Sequence, residues 1–285
     1  MTKQIELIEV GPRDGLQNES SAIATSDKIK LVNLLSDAGF STIEVTSFVS
    51  PKWVPQLADA HEVMTQITRK QGIRYIVLTP NQRGYDGAIS ANADEVAIFA
   101  AATETFSQKN INCSIEESLV RFEPVLEQAH ARNLPVRGYI SCVVGCPYEG
   151  DVSPQAVKYI TDWMLARGCY EVSLGDTIGC GTPQTISTLL ETLTADIPAE
   201  LLAGHYHDTN GRAIENVMTS IEFGLRRFDS AIAGLGGCPY APGAKGNVST
   251  NALNSALTKA GWHTGLDADR LHEAATFIST LVTPR

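Results

Sequence analysis

Short apolar runs rich in β-branched residues alternate along this chain with longer stretches whose apolar positions recur every three or four residues. The short runs lie at residues 5–11, 41–49, 74–79, 94–101, 136–144, 170–177, 202–208 and 228–235, and each predicts a strand. The longer stretches predict helices. Residues 26–38 place Ile29, Val32, Leu35 and Ala38 on one face, with Thr25, Ser26 and Asp27 as candidate N-caps and Gly39 just past the end. Residues 113–133, 154–167, 183–193 and 212–223 repeat the pattern, and Pro154 and Pro183 sit where a first helical turn accepts proline. Residues 267–282 predict one further helix at the C-terminal end.

Strands that alternate with helices pair in parallel, and eight such units predict a closed (β/α)8 TIM barrel of class α/β. An open, doubly wound sheet is the other arrangement, but no break marks where a second sheet would begin. The expected organisation is one domain over residues 1–285, with the barrel at about 5–260 and a C-terminal helical extension.

Composition narrows the function class. The net charge of −10 argues against a nucleic-acid binder, while leaving room for one anionic ligand held by local residues. No apolar stretch approaches the roughly 20 residues of a membrane helix. Cysteines at 113, 142, 146, 169, 180 and 238 form no CxxC pair, and Met1–Gln4 runs into a strand without a signal-peptide apolar region. Reduced thiols in a cytoplasmic protein are the expectation.

Barrel enzymes gather their chemistry at the C-terminal ends of strands. There the first strand ends in Arg13-Asp14-Gly15-Leu16-Gln17, the second carries Glu44, and the sixth ends in Asp176. The seventh holds His205-Tyr206-His207. Residues two apart on a strand share a face, so both imidazoles enter one cavity while Tyr206 turns away. With Asp14 and the carbonyl of Asn247 they form a candidate divalent-metal site. Mixed nitrogen and oxygen ligands suit Mg or Mn without excluding Zn, Fe or Co, and two hydrogen-bonded core histidines are the competing reading. Arg13 is a candidate for holding a developing oxyanion, and also the nearest partner for the costly buried carboxylate of Glu44. Cys238 lies in a glycine-rich loop, where a thiol serves as proton donor or nucleophile, or has no role. Cys142 and Cys146 read as packing thiols.

These motifs resemble the 3-hydroxy-3-methylglutaryl-CoA lyases of the DRE-TIM metallolyase superfamily. The resemblance runs over nearly the whole chain. It includes residues 8–19 around Arg13-Asp14, TSFVSPKWVPQ at 46–56, KNINCSIEES at 109–118, RGYISC at 137–142, GCPYEG at 145–150, SLGDTIG at 173–179 and AGLGGCPYAPGAKGN at 233–247. It implies that Asp14, His205, His207 and Asn247 hold a divalent cation, Mg or Mn, and that Arg13 stabilises an enolate. It further implies that Cys238 is the catalytic loop thiol, that Glu44 and Asp176 are active-site acids, and that Gln17 binds substrate. Asp176 or a metal-linked water is the expected base. The implied reaction is retro-Claisen cleavage of (S)-3-hydroxy-3-methylglutaryl-CoA to acetyl-CoA and acetoacetate. A longer 3-hydroxy-3-acylglutaryl-CoA, or condensation of an acyl-CoA with a 2-oxo acid, are the alternatives. Lys52, Lys109 and Lys245 are candidates for the CoA phosphates, and a homodimer is expected from the resemblance. Tyr206 and Asn251 depart from it: relatives often carry cysteine and an acidic residue there.

Overall fold

Every apolar run forms a strand, and the strands close on themselves. The structure is a computed structural model that describes residues 3–236 and 246–282. Its strands are β1 (Glu6–Glu9), β2 (Thr42–Ser47), β3 (Arg74–Leu78), β4 (Glu95–Ala101), β5 (Val136–Ser141), β6 (Gly145–Cys146), β7 (Gly150–Asp151), β8 (Glu171–Asp176), β9 (Leu202–Tyr206) and β10 (Arg227–Ser230). All but β6 and β7 form one parallel barrel in the order β1-β10-β9-β8-β5-β4-β3-β2, closed by Glu9 opposite Ile43. All the predicted runs except 94–101 extend past the strand's C-terminal end, where the chain leaves the barrel in turns.

Helices α1 (Thr25–Asp37), α2 (Ala60–Gln66), α3 (Gln82–Ser90), α4 (Glu104–Ile111), α5 (Ile115–Ala131), α6 (Pro154–Ala166), α7 (Pro183–Thr194), α8 (Ala213–Glu222), α9 (Thr250–Lys259) and α10 (Ala268–Ser279) surround it. Pro154 and Pro183 open α6 and α7 behind Ser153 and Thr182, as expected. The expected α1 caps do not cap: Ala24 stands at that position and accepts no side-chain bond there. Thr25 instead donates to Asp59 at 2.8 Å, and Lys28 donates to the same carboxylate at 2.8 Å, tying α1 to the α2 entry. Helices α2, α3, α4 and α9 and the β6–β7 hairpin carry no comparable signal. α2 and α4 are only 7 and 8 residues long. α3 contains Gly84 and Gly87, where an added Cβ would meet Pro80 or Phe48.

Two cores result. The larger fills the space between strands and helices, with Leu31, Leu35, Val96, Val157, Leu189 and Leu253 fully buried. The barrel interior is unlike it. Alternation turns Ile76, Leu78, Ala97 and Tyr139 inward as a small apolar cluster, and much of the remainder is charged. Toward the N-terminal ends of the strands, Arg74 lies 3.3 Å from Glu95 and 3.7 Å from Glu6, and Arg227 lies 3.1 Å from Glu6 and 2.7 Å from Glu171. Fully buried Arg137 pairs with Glu171 at 2.7 Å and Asp229 at 2.8 Å. Each charge faces an opposite one, which makes burial tolerable. Among the described residues no helix is long and apolar enough to cross a membrane.

Candidate active site and metal centre

The opposite mouth is built differently. Beyond β1, Gly11–Gly15 makes a single π-helical turn in which the amides of Arg13, Asp14 and Gly15 all converge on the Val10 carbonyl at 3.2, 2.7 and 3.2 Å. The turn requires small residues: an added Cβ would come within 2.5 Å of the Glu9 carboxylate at Gly11 and within 2.6 Å of Leu235 at Gly15. Glu9 holds the turn down. It accepts from the Gly11 and Ile232 amides at 2.8 Å each and from the Thr250 hydroxyl at 2.7 Å, so one buried carboxylate joins β1, the turn after β10 and α9. Burial outweighs those bonds and pushes the carboxyl up to about 7.

This turn carries Arg13 and Asp14 over the cavity. The Arg13 Nε donates to Glu44 Oε2 at 2.7 Å, and its Nη1 lies 2.5 Å from Asp14 Oδ1. The Glu44–Arg13 pair therefore forms inside the barrel. Burial raises the Glu44 carboxyl despite Arg13, whereas Arg13 and the two histidines overcome burial and hold Asp14 far below the carboxylate range.

His205 and His207 point to one side, and Tyr206 to the other, where its hydroxyl meets Ser220 of α8 at 2.8 Å. The two Nε2 atoms face each other at 3.4 Å, with Asp14 Oδ2 3.9 and 4.0 Å from them. The three ligand-type groups lie within 4.8 Å of one another. Two imidazole lone pairs converging beside a carboxylate is a donor set that a cation satisfies, and the residues fit a divalent ion. Burial and neighbouring His205 push His207 down to about 4, so at neutral pH it is an uncharged donor. Asn247 borders the group, its backbone bridged to His207, and donates Nδ2 to Asp14 Oδ2 at 2.7 Å and to the Leu235 carbonyl at 3.2 Å. Its amide thus reaches the predicted ligand set with the NH2 end foremost; which end faces a ligand is an assignable choice of rotamer.

Arg13, Asp14, Gln17, Tyr139, His205 and His207 line a cavity of about 240 Å³ at this mouth. Asp176, one of the two expected bases, is not among the residues that line it. It is the residue after inward-facing Gly175, so alternation turns it outward. Its oxygens accept from the Cys180 amide at 3.1 Å and the Gly181 amide at 2.8 Å, fixing the β8–α7 loop. Burial raises this carboxyl. Lys52 and Lys109 are exposed, the latter with Nζ 5.2 Å from the Tyr148 ring centroid. Cys238 and Lys245 lie outside the described residues. Cys142 and Cys146 are buried thiols, as expected.

The sequence reading passed over Tyr139, Arg137 and Asp229. The signal was present: polar residues at alternate positions of otherwise apolar strands face the barrel interior, where each needs a partner.

A sequence model described as HMGL-like matches residues 4–278. The mitochondrial hydroxymethylglutaryl-CoA lyase of Bos taurus is 52% identical over 99% of this chain and 87% of its own length. The crystal structure of the HMG-CoA lyase from Brucella melitensis superposes with a TM-score of 0.97 at 56% identity, covering 98% of this chain and 99% of that one. The lyase from Acinetobacter baumannii, solved in complex with coenzyme A and 3-methylmalate, superposes at 0.93 with 38% identity, over 98% and 91% of the two chains. With the family sequence matched nearly end to end and the barrel superposed on theirs, the chain belongs to the HMGL-like family.

Proposed function

We propose that this protein cleaves (S)-3-hydroxy-3-methylglutaryl-CoA to acetyl-CoA and acetoacetate by retro-Claisen chemistry. The observation that carries the reading is the convergence of Asp14, His205 and His207 beside the Arg13 guanidinium in one cavity. Full-length similarity to lyases of that name supports the substrate.

Asp14, His205, His207 and Asn247 would hold the cation, and the oxygen and nitrogen donors favour Mg or Mn. A bound ion would supply Lewis acidity that makes the substrate hydroxyl easier to ionise, and a water at the site, the other base the resemblance offers, would take the proton. Arg13, locked between Glu44 and Asp14, keeps a fixed positive charge where the thioester oxygen gains negative charge as the carbon–carbon bond breaks. Glu44 positions that guanidinium. Gln17 on the cavity wall contributes a substrate hydrogen bond. Cys238 protonates the enolate carbon as general acid, in keeping with the family resemblance of its loop. Cytoplasmic residence has a parallel in the Mus musculus relative named cytoplasmic, and a homodimer follows from the resemblance; light scattering on the purified protein checks the latter.

The test is to strip the protein with a chelator and follow acetoacetate release from the thioester. Activity should vanish and return with Mg²⁺ or Mn²⁺. Turnover that survives complete metal removal overturns the proposal.

A further inference from the structure

The two histidines of the centre are not equivalent, and the difference lies on the strand beside them. In the barrel register His205 stands directly opposite Asp229 of β10. Its Nδ1 lies 3.1 Å from Asp229 Oδ2, and the ring is otherwise free to offer only Nε2 to the cavity. The Nδ1 of His207 is buried with no partner among the described residues. Asp229 is itself held on every side. Its Oδ2 also accepts from the Ser173 hydroxyl at 2.8 Å, and its Oδ1 faces the Arg137 guanidinium at 2.8 Å. Arg137 is in turn anchored on Glu171.

We propose that Asp229 is a positioning residue: it fixes His205 in the Nδ1–H tautomer, so that the Nε2 lone pair is committed to the cation. The inference rests on the proposed metal reading. A carboxylate hydrogen-bonded to the far nitrogen of a ligating imidazole sets its tautomer and ring orientation and raises its basicity. Asp229 meets the requirements for this role. It is fully buried, so water does not compete, and the Arg137 guanidinium on its Oδ1 leaves Oδ2 to accept from His205.

The surroundings also determine what a near-isosteric change would do. In Asp229→Asn the amide oxygen would turn to the cationic Arg137, because the NH2 group has no acceptor there. The NH2 would then face His205 Nδ1, forcing that nitrogen to accept and placing the ring proton on Nε2. The ligand would be lost through its tautomer, with its position retained.

The experiment uses the full chain with Mn²⁺ as probe and, separately, Mg²⁺-saturated protein carrying ¹⁵N-labelled histidine. Long-range ¹H–¹⁵N correlation spectra, with His205 assigned by its loss in His205→Gln, should show Nδ1 protonated and Nε2 bare in the wild type. Asp229→Asn should show the reverse and bind Mn²⁺ about 10–100-fold more weakly. A wild-type His205 protonated on Nε2 overturns the inference, and so does Asp229→Asn binding Mn²⁺ within twofold of wild type. If Asp229→Asn fails to fold, the wild-type tautomer alone decides. If the wild type has no Mn²⁺ site that His205→Gln removes, the metal reading itself falls and takes this inference with it.

Discussion

The two ends of this barrel both bury ionisable side chains and use them in opposite ways. At the N-terminal end, Arg74, Arg227 and Arg137 alternate with Glu95, Glu6 and Glu171, and each guanidinium lies between carboxylates. At the C-terminal end, two imidazoles and a carboxylate aim their lone pairs at a common point, while Arg13 is the cation beside them. The first arrangement closes the barrel floor, and the second is a donor set that a cation would complete. Arg137 and Asp229 connect the two, so the rigid floor also supports one wall of the site. Buried ionisable groups point to a ligand site where their donor atoms converge on one another, not where each faces an opposite charge.

Disrupting the open end should cost the most activity and the least stability. Asp14→Ala is expected to lower turnover by at least about 10²–10³-fold and to abolish tight Mn²⁺ binding. Its thermal midpoint should fall less than that of a floor variant, because Arg13 loses one attractive partner but keeps Glu44. Activity assays, metal titration and melting of the same preparation check all three, and a large fall in melting temperature would place Asp14 with the floor residues instead.

Disrupting the closed end should do the reverse. Glu171→Gln leaves fully buried Arg137 with Asp229 and Arg227 with Glu6 as their remaining carboxylates, and should destabilise the fold by about 3 kcal/mol. Urea unfolding measures this directly. A loss below about 1 kcal/mol would mean the floor pairs merely tolerate one another.

The smallest expected effect is a pH dependence that sharpens the contrast. Glu9, under the π-helical turn, is a carboxyl that burial pushes up to about 7. Its contribution is therefore complete below the ordinary carboxylate pKa and is lost as pH rises through 7, by about 1.4 kcal/mol per unit of displacement. Glu95, at the floor, is pushed up to about 7 by burial and has the same sign. In Glu9→Gln, where the amide imitates the protonated acid, the decline in unfolding free energy between pH 5 and 8 should shrink. Parallel wild-type and mutant curves would show that Glu9 does not titrate in that window.

Much of this was legible in the chain itself. The eight strand runs, the helices preceded by Ser153-Pro154 and Thr182-Pro183, and the shared face of His205 and His207 all follow from local periodicity and capping chemistry. The Arg13–Glu44 pair followed from the cost of an unpaired carboxylate in an apolar strand. Other features were not legible. Short α2 and α4 give too few turns for a periodic signal, and α3 accepts its glycines because Phe48 and Pro80 pack against them. Asp176 ends a strand, and one step of alternation turns it toward the loop amides, an orientation its position at the strand end does not reveal.

Sequence alone determined the alternation of strands and helices, the family motifs and the identity of the metal-type donors, because these depend on neighbours a few residues apart. Only the tertiary structure decided which groups meet. Asp14 and Asn247 are 233 residues apart and touch because the barrel closes β1 beside β10. Asp229 reaches His205 because parallel register sets them opposite each other. Such contacts are fixed by closure and register, which every strand helps to set and no single segment encodes.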